Sequence, residues 1–343
     1  MDRRAALGVL ALAPLAAAFG TRSGREGTAP GDAAALPTRA PVASITPPPL
    51  ARGARVALVA PASPLGSAKE LDQAVANVHS FGWEPVVGEH ALAKTGYLAG
   101  SDAQRAADLN GAIRDPSINA IWCLRGGYGV MRILEMVDYD ALRRRPKTVI
   151  GYSDITALHL AIRVRCGVVS YHGPAARETI TSFSRASLLR AVTQNGEPCG
   201  VAPEARVLRS GSVRGPVLGG NLSLVASLVG TPFAAQLDGA ILVLEEVDEP
   251  AYRVDRMLTQ LRLSGALGRC VGLVFGAITP RGKPTKTSIR LRDAVLSGAA
   301  GDMTGPCMAG VPVGHIPSQW TVPMGALAEL DAGARRLSLT NLV

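Results

Sequence analysis

Between Ala54 and Pro174 the chain repeats one pattern: a short apolar, β-branched run, a turn, then a stretch of helical periodicity. "ARVALVAPAS" (54–63) reads as a buried strand stopped by Pro61, and "SAKELDQAVANVHSFG" as a helix closed by Gly82. "EPVVGEH" is a second strand, and "DAQRAADLNGAIRDP" a helix ending at Asp115-Pro116. "INAIWCLRGG" is a third strand, "VMRILEMV" a helix, "KTVIGYSD" a fourth strand with its helix, and "GVVSYHGP" a fifth. Strands alternating with helices at this spacing require a parallel sheet with helices on both faces. Sites in such sheets form at the carboxyl ends of strands. The loops "APAS", "RGGYG" and "GYSD" lie there.

Beyond Ala176 the pattern changes. "ETITSFSRASLLRAVTQ" is helical, "ARVLRSGSVRGPVLGG" holds short strands, and "NLSLVASLVG" is a helix. "GAILVLEEVDEP" is a strong strand, "YRVDRMLTQLRLSGAL" an amphipathic helix and "CVGLVFGAI" a buried strand; the end, "AGVPVGHIPSQWTVPMGALAELDAGARRLSL", is loop and strand. The expected fold is α/β: a doubly wound parallel-sheet N-terminal domain over 51–176, a connecting segment over 177–214, and a smaller β-rich domain over 215–343. No internal repeat is evident.

The first fifty residues stand apart. "MDRRAALGVLALAPLAAAFG" has a charged start, an apolar run and small residues near its end, which is a secretory signal pattern over 1–20. Arg3-Arg4 before the apolar run gives it a twin-arginine character. Residues 21–50 are rich in Ala, Pro, Gly and Ser and read as a disordered linker. These features imply a periplasmic or exported protein with no stable membrane insertion after signal removal. An uncleaved anchor or a misassigned start is the alternative, and without a working signal the protein is cytoplasmic. The net charge of +9 is scattered, and aromatics are 4% with no basic stripe interleaved, so solubility is favoured over nucleic-acid binding. The 5 Cys are widely spaced with no C-x-x-C, which is neither a disulfide framework nor a zinc site.

The chemistry centres on Ser153. A Ser at a strand-to-helix turn is lifted out of the sheet, and the next amide, that of Asp154, points at any developing oxyanion. The last Gly of a G-x-S-x-G elbow is replaced by Ile155, so the alternative is that Ser153 or Asp154 caps the helix. A nucleophilic Ser needs a base. His79 and His90 read as surface residues, and His159 as a packing or solvated one. His172 is placed to line a site, and His315, in "VPVGHIPSQ", sits in a loop that can aim a ring into a cleft. Glu245 ends an apolar strand and is flanked by Glu246 and Asp248, a row that is either a solvated loop or a strand end facing a cleft. No cofactor or metal is implied: H-E-x-x-H and a P-loop are absent, and "GGYGVM" lacks the third Gly of a dinucleotide fingerprint.

Blocks along nearly the whole of the chain from Arg52 resemble the LD-carboxypeptidase family, the muramoyltetrapeptide carboxypeptidases that also include microcin C immunity proteins. They are "APAS", "YLAGSDAQRAADLNGAIRDPSINAIWCLRGGYG", "VIGYSDITAL", "YHGP", "LGGNLSLVASLVGTP", "ILVLEEVDEPAYRVDRMLTQL" and "VPVGHIPSQWTVPMG". The resemblance implies a catalytic Ser153, Glu245 and His315, with the amides of Gly127 and Asp154 as oxyanion donors. It implies hydrolysis, through an acyl-enzyme, of the bond between the L-centre of a diamino acid and the terminal D-alanine of murein peptides, often by homodimers. Such a D-alanine carboxylate needs a cation or a backbone nest. Arg253 is the candidate, its alternative being an ordinary surface residue; Asn221 either lines the cleft or only caps the following helix. One departure from the family is Ile316-Pro317, where relatives often carry a Gly after the position of Ile316. The rival readings are a peptide-nucleotide amidase of the microcin type, with Trp320 as the available stacking aromatic, and a non-catalytic wall-peptide binding protein.

Overall fold

A computed structural model describes residues 43–280 and 282–340. The leader expected over 1–20 lies outside them, as does most of the expected linker.

The alternation of the N-terminal half becomes β1 (Arg55–Val59), α1 (Ala68–Ser80), β2 (Glu84–Val87), α2 (Asp102–Arg114), β3 (Ala120–Cys123), α3 (Tyr139–Arg144), β4 (Thr148–Gly151), α4 (Thr156–Cys166), β5 (Ser170–His172) and α5 (Ser182–Thr193). β3 and β4 are buried at every residue, the burial that a sheet covered on both faces demands. α2 starts where Ser101 and Gln104 satisfy each other's backbone N–H groups, a reciprocal capping box. "VMRILEMV" departs from the expected helix and forms a 3₁₀ turn, Val130–Met136. Val130 N–H is tied to Asp154 Oδ2 at 2.8 Å and Met136 C=O to Asn110 Nδ2 at 2.7 Å, so both ends are fixed and the segment stays tight.

The second half contributes β6 (Gly200–Val201), β7 (Arg206–Arg209), β8 (Ser212–Asn221), α6 (Leu222–Ser227), β9 (Ile241–Glu246), α7 (Ala251–Leu263), α8 (Ala266–Arg269), β10 (Gly272–Ile278), α9 (Lys286–Gly301), β11 (Cys307–Ala309), β12 (Val322–Met324), β13 (Leu327–Asp331) and β14 (Arg336–Leu339). Helix α9 falls in a stretch to which the sequence analysis gave no element. Its signals are the Thr285–Ser288 capping box and the buried Leu296, Ala299 and Ala300.

Two sheets result, ordered β12-β5-β4-β3-β1-β2 and β6-β14-β13-β8-β9-β10-β11-β7. β1 to β5 pair in parallel throughout. β12 returns from the far end of the chain and adds an antiparallel edge, Val322 opposite His172. In the second sheet β8, β9, β10 and β11 are parallel, with antiparallel strands outside them.

One apolar core runs across both sheets. Ile155, Leu158 and Ile162 of the turn and helix after β4 share it with Leu222 and Val225 of α6 and Leu242 and Leu244 of β9. At the same interface the buried Asn221 N–H donates to Thr156 Oγ1 at 2.9 Å. Residues 43–50, counted by composition with the linker, are bound to this fold. Ile45 bridges Val168, Ser44 Oγ donates to Gly325 C=O at 2.7 Å, and Leu50 is 6% exposed. Two apolar side chains and extended backbone suffice to hold what composition alone assigns to free chain.

Leu158 is fully buried where the two sheets meet. Leu158→Ala is expected to remove about 2–5 kcal/mol of stability, read as a lowered urea midpoint with an unchanged slope.

Candidate active site

The rim of the first sheet delivers the hydroxyl. After β4, Tyr152 is extended and Ser153 takes φ 64° before a 3₁₀ turn, Ser153–Ile155, leads into α4. A non-glycine residue there costs on the order of 1–3 kcal/mol and persists only where the surroundings over-determine it. Neither Ser153 nor Asp154 caps the helix: no side-chain cap bond forms, and the buried Asp154 carboxylate accepts instead from Val130 N–H. Burial pushes the Asp154 pKa up, opposed by that bond and by Arg105. Asp154 thus couples the Ser153 turn to the segment after the "RGGYG" loop.

That loop packs directly on the hydroxyl. A Cβ on Gly126 would stand 3.0 Å from Ser153 Oγ and 2.8 Å from its Cβ, so no side chain fits. Gly127, at φ 111°, abuts Ser63 of "APAS", whose Oγ accepts from Tyr128 N–H at 3.1 Å. Among the described residues the Gly127 N–H has no protein acceptor, which leaves it free for an anionic oxygen.

The second half delivers a carboxylate and an imidazole. Glu245, near the end of β9, is fully buried, and its Oε2 lies 2.7 Å from His315 Nδ1. A proton on Nδ1 leaves Nε2 as acceptor, the tautomer a general base needs. Gly314 makes the approach possible: a Cβ there would lie 2.5 Å from Glu245 Oε2, and the residue sits at φ 104°. Burial acts to lower the His315 pKa, but the Glu245 hydrogen bond and the charges of Glu245, Glu178 and Glu246 outweigh it, and the net shift is upward.

Tyr152 joins the two halves. Its ring lies 4.7 Å from that of His315, centroid to centroid, so the residue preceding Ser153 touches the imidazole. Among the described residues no hydrogen bond links Ser153 Oγ to His315; such bonds often tighten only with substrate bound. A cavity of about 310 Å³ opens over the ring, lined by Tyr152, Glu178, His315, Ile316 and Gln319 among others. The Ile316-Pro317 departure noted in the sequence therefore forms part of the cavity wall. Glu178 escaped the sequence analysis, since it reads as the polar start of the helix "ETITSFSRASLLRAVTQ", whereas α5 begins only at Ser182 and leaves Glu178 in the loop before it. Its Oε1 accepts from Tyr152 Oη at 2.6 Å. Burial raises its pKa, against the Tyr152 bond and the Arg177 and His315 charges.

The other candidates separate from this cluster. His172 is buried behind Tyr152, with ring centroids 6.0 Å apart, and burial, then His159 and His315, hold its pKa well below the usual value. It packs behind the cleft and does not line it. His159 is a satisfied core residue, bonded to Ser170 and to Gly151 C=O at 2.8 Å each. Asn221 is buried opposite Glu245 in the sheet, and its side chain donates to Glu246 Oε1 at 3.0 Å. It does not cap α6; Glu246 accepts from Ser223 N–H there at 2.8 Å. Arg253 lies on α7, half-exposed and paired with Glu249 at 3.3 Å. Trp320 is 2% exposed in the core of the second sheet and offers no open face.

The LD-carboxypeptidase N-terminal domain matches residues 56–173 and its C-terminal domain residues 214–330. The chain belongs to the LD-carboxypeptidase family. It is therefore an enzyme, a serine-type peptidase. Similar proteins include the murein tetrapeptide carboxypeptidase of Pseudomonas aeruginosa, 32% identical over 82% of this chain and 94% of that one. A Bacillus subtilis protein named "Probable murein peptide carboxypeptidase" is 34% identical over 83% of this chain and 91% of its own. The crystal structure of an MccF-like protein from Bacillus anthracis superposes with a TM-score of 0.78 at 25% identity, covering 86% of this chain and 98% of that one. The two-part fold, a parallel-sheet N-terminal domain and a β-rich C-terminal one, is thus the family's.

Because the net shift of His315 is upward, its imidazole is expected to titrate above its ordinary value of 6.5, and Glu245→Gln to lower the midpoint, both read by NMR of the ring protons. Gly314→Ala forces the chain away from Glu245 and is expected to cut turnover by about 10²-fold, measured at saturating substrate with the fold checked by circular dichroism.

Proposed function

We propose that Ser153, His315 and Glu245 form a catalytic triad that removes the terminal D-alanine from murein tetrapeptides by acyl transfer. The observation that carries this reading is the 2.7 Å bond between His315 Nδ1 and the buried Glu245, set against the ring of Tyr152, which precedes the strained Ser153. His315 Nε2 accepts the Ser153 proton as Oγ attacks the carbonyl of the L-centre. The carbonyl π electrons move onto oxygen, and the N–H groups of Gly127 and Asp154 stabilise that oxyanion, each contributing about 3 kcal/mol. The imidazolium, held by Glu245, returns its proton to the departing nitrogen, and D-alanine leaves. A water molecule, deprotonated by the same Nε2, then cleaves the ester and restores Ser153.

The murein relatives support the substrate class. Trp320, the aromatic considered for stacking on a base in the peptide-nucleotide alternative, is buried and does not serve that role. Export through the N-terminal leader and assembly as a homodimer complete the reading. Among the described residues no helix is long and apolar enough to cross a membrane.

Wild-type protein incubated with a defined murein tetrapeptide is expected to yield tripeptide and free D-alanine by mass spectrometry. Ser153→Ala should lower the rate by at least about 10⁴-fold while still binding peptide. A wild type that binds the peptide and never releases D-alanine supports the binding-protein alternative instead. The base must be neutral to act, so kcat/KM should rise with pH through the elevated His315 pKa. An acid limb well below pH 6.5 contradicts the assignment.

A further inference from the structure

A carboxypeptidase differs from an endopeptidase by reading the free carboxylate next to the bond it cuts. That carboxylate is two bonds from the scissile nitrogen, so its anchor must lie within roughly 4–7 Å of the attacked carbon. Arg253 does not suit the task, being half-exposed on α7 and already paired with Glu249.

Arg125 does. It follows β3 and precedes the Gly126-Gly127 pair that packs on Ser153. Its Nη2 lies 3.8 Å from the point where a Gly127 Cβ would be, which sets the guanidinium against the loop that packs on Ser153. Its Nη1 donates to Pro64 C=O at 2.8 Å, which fixes the side chain along the "APAS" loop. The rest of the fork is unused: Nε is buried without a partner, and among the described residues Arg125 forms no ion pair. The nearby acids are committed elsewhere. Glu70 pairs with Arg177 at 3.0 Å and accepts from Gly66 N–H at 3.0 Å, and Glu178 is bonded to Tyr152. Burial and the neighbouring Arg177 both disfavour the Arg125 cation, with Glu70 only partly opposing them. A half-buried guanidinium with donors to spare, held beside another cation, calls for an anion.

We infer that Arg125 is the specificity residue that binds the terminal carboxylate of the departing D-amino acid. The inference rests on the carboxypeptidase reading and names the part of the site that makes it an exopeptidase. The carboxylate accepts from the open side of the fork, which draws the scissile carbonyl against Gly127 N–H. A peptide extended past the D-residue replaces that anion with a neutral amide and loses the contact.

The test separates binding from turnover. In Ser153→Ala protein, calorimetry compares a tetrapeptide ending in D-alanine with the same peptide as its C-terminal amide. The acid is expected to bind about 30-fold more tightly. Adding Arg125→Gln should bring the two affinities within about threefold of each other, whereas Arg253→Gln should leave the preference as it was. If Arg125→Gln fails to fold, the ratio is read in Arg125→Lys, which keeps the charge, loses the fork and should retain only part of the preference. An absent acid preference, one that survives loss of Arg125, or one that collapses with Arg253 overturns the assignment. D-alanine release by the wild type is scored separately. If none is released while the acid preference still depends on Arg125, the hydrolytic reading falls and the anion site stands.

Discussion

The buried contact between Glu245 and His315 is the constraint around which the rest is arranged. A carboxylate with no exposed surface is costly unless a partner meets it with good geometry. The partner lies seventy positions along the chain and approaches only because residue 314 has no side chain. The apolar interface between α4, α6 and β9 then sets this pair against the other sheet. The strain at Ser153 is sustained by the same packing, with Asp154 tied to Val130 below it and Gly126 pressed against it above. Strength in one place keeps an unfavourable backbone angle in another.

The electrostatics divide the cleft. On the His315 side stand Glu245, Glu246 and Glu178, whose charges favour the imidazolium that forms as a proton is taken up. Beside the "RGGYG" loop stands Arg125, while Arg177 pairs with Glu70 and also acts on Glu178. The acidic groups thus stand where positive charge appears during the proposed reaction. Tyr152 connects the two regions, touching His315 with its ring and Glu178 with its hydroxyl.

Much of this architecture was readable in advance because it is written in local patterns. The alternation before Pro174 specified β1 to β5, and the strand-to-helix join singled out Ser153. His315 and Glu245 stood out as candidates by their places in a loop and at a strand end, but only family resemblance paired them, since neither carries a local sign of its distant partner. What escaped has physical reasons. Helix α9 buries Leu296, Ala299 and Ala300 but leaves Ile289 and Leu291 exposed, so its apolar residues do not mark one face. Glu178 and Arg125 look like common surface charges until tertiary contacts bury them halfway. Trp320 and Asn221 have the chemistry of ligand-binding groups, but packing turned one into core and bound the other to Glu246. The expected helix at "VMRILEMV" tightened to 3₁₀ because distant side chains fix both of its ends.

The edge strand β12 has a bearing on how the chain matures. The sheet that carries Ser153 gains its last strand from residues 322–324, which pair with 170–172. During synthesis the first half therefore remains with an open edge until residues 322–324 have emerged. Closing so long a loop is slow and comes late. A shortened chain ending before Val322 would carry the hydroxyl on an unfinished sheet. The order of assembly thus leaves the sheet under Ser153 unfinished until this late strand arrives.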